Sequence, residues 1–405
     1  MKRGVVWGAR IAAAAMAWSA QAAIAADDTA TATWKTRIAQ LAQPAADEVV
    51  MTAVGDAIWT HKISTSPDVG LRSLFEVMRA ADIAFLNHEQ VLADSGYPTA
   101  KEIAKADPSI VDELTWAGVD MVSIANNHLM DFGPSGMETT LKTLDKAGIK
   151  YSGAGFTPAQ AYQPAVVEKK GLKVALVAVM VSPTLNIGTA ATEASPGVAW
   201  VRGATVRQPD GKVVIAPWDS DLRLMEDTIK AARKTADLVA VSMHIHWGGL
   251  ADIDAGKQLV TRAAVDAGAD IILGHGPHVV NGIEFYKGKP IVYSAGNFAF
   301  QFPPGAYEYF PQSLKVVQSM SNVTQPPFYE AVMLRMILSA KGEIRRMELL
   351  PVGLSPAGDP YLESGEKADA VLARVQALSK PLGTGIKRED WYAVVEPPKA
   401  GQRRK

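Results

Sequence analysis

Leu238-Val239-Ala240-Val241-Ser242-Met243-His244-Ile245-His246-Trp247-Gly248 decides the fold: a continuous β-type run closes on two histidines and a glycine. A helical stretch, Gly256 to Ala267, follows, and then a second short strand, Asp270 to Leu273, which runs into Gly274-His275-Gly276-Pro277-His278. Strand, covering helix and strand, with histidines delivered where each strand stops, is the pattern of an α/β sheet. In such sheets ligands bind in the crevice outside the carboxyl ends of the strands.

Upstream the same arrangement repeats. The run Val49 to Val54 stops at Gly55-Asp56, the strand Ile83 to Leu86 ends in Asn87-His88-Glu89, and the strand Asp120 to Ile124 delivers Asn126-Asn127-His128. Helical spacing is read for Leu71–Ala81, for Pro108–Ala117 with Gly118 as its stop, and for Gly136–Ala147 closed by Gly148. Leu172 to Val181 is an unbroken apolar run of the kind found at a sheet centre. Ser182 to Trp218 loses the pattern and is read as an insertion overhanging the site; Asp219 is read as the N-cap of a helix reaching Ala236. Beyond the second histidine cluster, Gly282–Tyr286 and Pro290–Tyr293 form a hairpin around Lys287-Gly288-Lys289. Ala331–Leu338 and Glu343–Leu350 flank the turn Lys341-Gly342, so the later part of the sheet is antiparallel.

The chain has only seven histidines, and five of them fall in three of these strand-end clusters. Each cluster taken alone has a plain structural reading; their shared position makes a metal centre. Carboxylate, amide and imidazole ligands together suit Mn, Fe or Zn better than Ca or Mg, which prefer all-oxygen shells. Two such divalent ions ~4 Å apart can share a bridging hydroxide and clamp an oxyanion, which suits hydrolysis of phosphate esters or amides. His61 lies too far along to join the site and is read as a surface residue.

Composition bounds the setting. With 405 residues, 48% hydrophobic and 20% charged, the chain has ample material for a large core. A net charge of -1 supplies no overall field for nucleic acid or an anionic membrane, and no basic stripe with interleaved aromatics is present, so no nucleic-acid partner is expected. Lys2, Arg3 and Arg10 precede the apolar stretch Ile11–Ala20 and small-x-small sites, which reads as a signal peptide over 1–25, cleaved after Ala22 or Ala25. The apolar stretch falls short of the ~20 residues that span a bilayer. No cysteine is present, hence neither a disulfide nor a lipid-modified thiol, and a periplasmic or secreted protein is expected. The remaining divisions are a linker with a short helix at 26–46, a main domain at 47–360, and a C-terminal helix with a loosely attached basic tail at 361–405.

Several ordered motifs make a resemblance specific: Val54-Gly55-Asp56, Asn87-His88-Glu89, Ala125-Asn126-Asn127-His128-Leu129-Met130-Asp131-Phe132-Gly133, His246-Trp247-Gly248, Gly274-His275-Gly276-Pro277-His278-Val279, Gly282-Ile283-Glu284 and Gly288 through Phe298. From about Val49 to Phe300 the chain resembles the CapA-type capsule synthesis family associated with poly-γ-glutamate, whose domain is similar to the calcineurin-like metallophosphatases. The resemblance implies a metallophosphatase-like four-layer α/β/β/α sandwich with mixed sheets. It implies Asp56, Glu89, Asn127, His244 or His246, His275 and His278 as ligands of two divalent metal ions, with Trp247-Gly248 favouring His246 as the motif residue. His128 would donate a proton to the leaving group. Asp131 either sets its pKa or merely caps the next helix, while Asn87, Asn126 and Asn297 would contact substrate. The sequence departs from the pattern at Gly276, where a bulky or basic residue is common, at His88, where leucine is common, and at Ile58, which removes the metallophosphatase Asp-x-His.

Function is then read as metal-dependent hydrolysis of a phosphoester or a γ-glutamyl amide in an anionic small molecule or in poly-γ-glutamate. The alternative is a non-catalytic protein that binds or guides that polymer; a phosphodiesterase is a lesser option. Association with a membrane-bound polymer synthesis complex is a further expectation. Lys287, Lys289, Arg345 and Arg346 are candidates for a local basic track, beside the plainer reading of solvated hairpin surface.

Overall fold

Alternation along the strands dictates the layering. The structure, a computed structural model, describes residues 28–94, 96, 104–183, 189–209, 211, 213–245, 252–301 and 326–397. In Leu238–Ile245, Leu238 and Ala240 join a core shared with Val49, Met51, Ile83 and Phe85, whereas Val239, Val241 and Met243 face Met225, Ile229 and Val260 of the flanking helices. Two sheets therefore pack face to face through the first core. The outer face of the first sheet, with Ala84, Leu86 and Val122, is covered by Leu74, Phe75, Leu114 and Leu144. This is the expected four-layer α/β/β/α sandwich with mixed sheets.

In the first sheet Val49–Ile58, Ile83–His88, Met121–Ser123 and Lys150–Ser152 run parallel, and the antiparallel strands Glu330–Leu338 and Ile344–Leu354 lie on the other side of Val49–Ile58. In the second, Leu172–Pro183, Leu238–Ile245, Ile271–His275 and Lys289–Val292 run parallel, with Ile283–Tyr286 as an antiparallel edge. The carboxyl ends of both parallel sets open at one rim.

Several boundaries differ from the sequence reading. Residues 28–38, within the segment read as a linker with a short helix, are helical, and the helix is docked: Trp34 stacks edge-on against Trp391 at 5.4 Å, and Trp391 Nε1 donates to Arg37 O at 2.9 Å. The tail, expected to be loosely attached, adds Gly385–Arg388 and Ala393–Glu396 to the edge of the first sheet. Within Ser182–Trp218, Trp200–Arg207 and Val213–Pro217 extend the edge of the second sheet as a paired ribbon, so backbone pairing organises this insertion. Trp218, not Asp219, occupies the N-cap of the Asp219–Arg233 helix, and no side chain caps it. The expected signal segment, the end of the tail from residue 398 and His246-Trp247-Gly248 lie outside the described residues.

Candidate metal centre

Where apolar alternation between the sheets stops, the same alternation continues with polar side chains. Asn87 and Glu89 keep the parity of Ile83 and Phe85, His244 that of Leu238 and Ala240, and His275 that of Ile271 and Leu273, so all four face the space between the sheets. Asp56 has the wrong parity for this. A register shift between Ala53 and Asp56 corrects it, leaving Val54 and Ala57 both in the outer core and turning Asp56 inward. Gly55 lets the bulge form: a Cβ there would sit 1.8 Å from Gly296 O.

The side chains so delivered converge. Asp56 Oδ1 accepts from Asn87 Nδ2 at 2.9 Å and lies 3.2 Å from His275 Nδ1, while Oδ2 accepts from the Gly276 backbone N–H at 3.0 Å and lies 3.4 Å from His278 Nδ1. Glu89 Oε1 stands 3.6 Å from Nε2 of both His244 and His278. Ligand atoms of Asp56, Glu89 and His244 fall within 4.8 Å of one another, and all three residues are fully buried.

Asn127, His128 and His278 sit on the turns that follow these strands, and His275 closes its own strand. Asn126 builds the first turn, its Oδ1 accepting the N–H groups of His128 and Leu129 at 3.1 Å and its Nδ2 donating to His88 O at 2.8 Å. Asn87, besides holding Asp56, places Nδ2 3.2 Å from His244 Nδ1. Asn297 donates to the carbonyls of His278 and Phe328, each at 3.1 Å, and its Oδ1 lies 2.9 Å from His278 Nδ1. All three asparagines, expected to meet substrate, thus have their amides engaged within the protein. Asp131 does not cap the following helix, whose N-cap is Phe132; its Oδ2 lies 2.8 Å from His128 Nδ1 and accepts from Ala104 N at 2.8 Å. His61 pairs with Asp359 at 2.9 Å and is partly exposed.

The electrostatics are those of a cation site seen through its ligands. Burial alone would raise the Asp56 carboxyl, but His275, His278 and His244 around it hold it far below the usual carboxylate range. Burial, aided by Asp56 and Asp131, pushes Glu89 well above its ordinary value. Burial also raises Asp131, against the opposing His128, and lowers His278, against Asp56 and Asn297. Both oxygens of Glu89, Oδ1 of Asn127 and both ring nitrogens of His275 are buried without a hydrogen bond. Each such atom costs roughly 1–3 kcal/mol if left unmatched, so five around one crevice fit a site whose partner is a cation. The donor set of carboxylate, amide oxygen and imidazole suits Mn, Fe or Zn.

Two features had no clear signal in the sequence. The Gly276 N–H reaches Asp56 from a backbone at φ +103°, a conformation that favours glycine. Phe300 and Phe328 wall the His278 ring, with centroids at 5.2 and 6.3 Å.

Comparisons with known proteins bear on the family. The family model described as "Bacterial capsule synthesis protein PGA_cap" matches residues 14–302. The chain is 32% identical over 266 residues to the "PGA biosynthesis protein CapA" of Bacillus subtilis, covering 63% of this chain and 64% of that protein. It is 28% identical over 430 residues to the "Uncharacterized protein y4sH" of Sinorhizobium fredii, covering 86% and 93%. Among solved structures, a hypothetical protein from Thermus thermophilus aligns over 77% of this chain and 95% of its own, at 15% identity and a TM-score of 0.38.

Proposed function

This chain belongs to the bacterial capsule synthesis protein PGA_cap family, and from that premise we propose that it is an exported metal-dependent hydrolase acting on a γ-glutamyl amide or a phosphoester during synthesis or processing of poly-γ-glutamate. The observation that supports hydrolysis most directly is Glu89, a fully buried carboxylate without a hydrogen bond, facing the Nε2 atoms of two histidines. Asp56, Glu89, Asn127, His244, His275 and His278 would hold two divalent ions, which when bound supply Lewis acidity and a water acidic enough to attack at neutral pH. His128, on the turn beside the ligands, would pass a proton to the leaving atom. Asp131 fixes its ring through Nδ1, which makes Nε2 the atom for that transfer. Export rests on residues 1–25 of the sequence. Among the described residues no helix is long and apolar enough to cross a membrane. Work beside a membrane-bound polymer synthesis complex would follow from that location.

The test is metal analysis of purified protein together with turnover of γ-linked glutamate oligomers and of phosphodiesters, for the parent, Asp56→Ala, His275→Ala and His128→Ala. Hydrolysis predicts bound transition metal in the parent, loss of metal in the first two variants, and metal retention with turnover lowered ~10²–10⁴-fold in the third. A parent protein that takes up no transition metal sinks the proposal. Metal without turnover on either substrate class would favour the non-catalytic polymer-binding reading.

A further inference from the structure

Far from the metal centre, the amino ends of the second sheet's strands meet the Lys341-Gly342 turn of the first sheet around a cavity of about 560 Å³. Leu238 borders this end and His244 the other, six residues apart along one strand, so the cavity lies ~20 Å from the centre. Three of the four residues singled out as a basic track, Lys289, Arg345 and Arg346, line it together with Arg233 and Lys341. The fourth, Lys287, turns away to Asp266.

The charges of this wall do not cancel. Asp270 is shared by Arg233 and Lys289, the latter at 2.7 Å, and Glu348 behind the wall is shared by Arg335 at 2.6 Å and Arg346 at 2.7 Å. Each carboxylate answers two cations and leaves one positive charge over. Glu343 is matched by Arg345 at 2.8 Å, and Asp237 offsets one charge, its Oδ2 accepting the Lys173 N–H. Among the described residues Lys341 Nζ has no partner. Local surplus matters because the whole chain, at -1, exerts no attraction on a polyanion. The carboxylates also hold Lys289 and Arg346 in place, so their remaining donors are presented without the usual loss of side-chain freedom.

We propose that this cavity is a second, non-catalytic site that binds successive carboxylates of a polyanionic chain, and that it tethers poly-γ-glutamate while the metal centre acts elsewhere on it. The choice of polymer rests on the function proposed above; the cation surplus does not. Spacing of the cations over two sheets favours a chain with repeated charges over a single small anion. Affinity should therefore rise with polymer length and fall with salt.

Binding of poly-γ-glutamate to the full chain, measured by calorimetric titration at low and at high salt, tests the site. The double reversal Lys341→Glu with Arg345→Glu should weaken binding by about tenfold or more and flatten its salt dependence. Its melting temperature, metal content and turnover of a short γ-glutamyl oligomer should match the parent. His275→Ala should keep the polymer affinity. Unchanged affinity in the double reversal, or affinity lost in His275→Ala alone, overturns the tether. Failure of the hydrolase reading shows separately, as absent turnover in the parent while polymer binding still responds to the reversal.

Discussion

Asn297 donates both amide hydrogens to backbone carbonyls, which leaves only Oδ1 toward His278. His278 Nδ1 must then carry the proton, and its Nε2 presents a lone pair toward Glu89. The same asparagine grips the carbonyl of His278, a residue held at φ +58° where side chains other than glycine are uncommon. Asn297→Ala should therefore lower divalent-metal affinity ~10–100-fold by titration calorimetry, and should let the His278 tautomer mix in nitrogen NMR; parent-like affinity would rule the role out. His88, one residue before Glu89, shares the outward parity of Ala84 and Leu86, and neither of its nitrogens has a hydrogen bond. Burial lowers its pKa from 6.5 to about 4. Between those values the unfolded chain binds more protons than the native one. Stability is thus complete above pH ~6.5 and declines by roughly 3 kcal/mol as pH falls to ~4. His88→Leu should remove most of that decline when urea unfolding at pH 7 and pH 4.5 is compared; an equal decline in the variant would refute it. At this scale the candidate ligands were legible because polar residues follow strand runs. The hydrogen bonds of Asn87, Asn126 and Asn297 were not, since the amide groups of Asn87 and Asn126 donate to partners more than thirty residues away and local pattern does not reach them.

The strand Val49–Ile58 would, as a regular element, point Asp56 into the helix-covered core. Its bulge is a property of the strand against its neighbours, because Gly55 must pass under Gly296 O while Asp56 N donates to that same oxygen at 3.0 Å. Regular elements with apolar runs, such as Leu172–Pro183 and Leu238–Ile245, were readable from their composition. The hairpin Gly385–Glu396 was not: half-exposed edge strands carry charges such as Lys387 and Arg388, which mimic a frayed tail. The helix at 28–38 falls in the segment read as a linker with a short helix, but its docking was not legible: it is held chiefly by Trp34 against Trp391 with Arg37 over the Trp34 ring. Trp34→Ala should cost ~3–5 kcal/mol in urea unfolding. A loss below about 1 kcal/mol would mean that the helix is dispensable.

For the molecule as a whole, the site exists because two parallel strand sets open at the same rim, and the proposed tether because their opposite ends meet at another. Residue patterns by themselves marked the apolar strands and the polar ligand types at their carboxyl ends, a donor set that suits Mn, Fe or Zn; ordered motifs pointed to the family and hence the sandwich. His244 and His246 share one parity, so alternation had no means of choosing between them, and of the two only His244 lies within the described residues. Only the packed structure set His244 beside Glu89 and Asp56, and it alone divided the strands between two sheets. Periodicity is a property of neighbours along the chain. The partners that turn Asp56 inward, orient His278 and pool cations at the far rim are separated by tens to hundreds of residues, and packing alone brings them together.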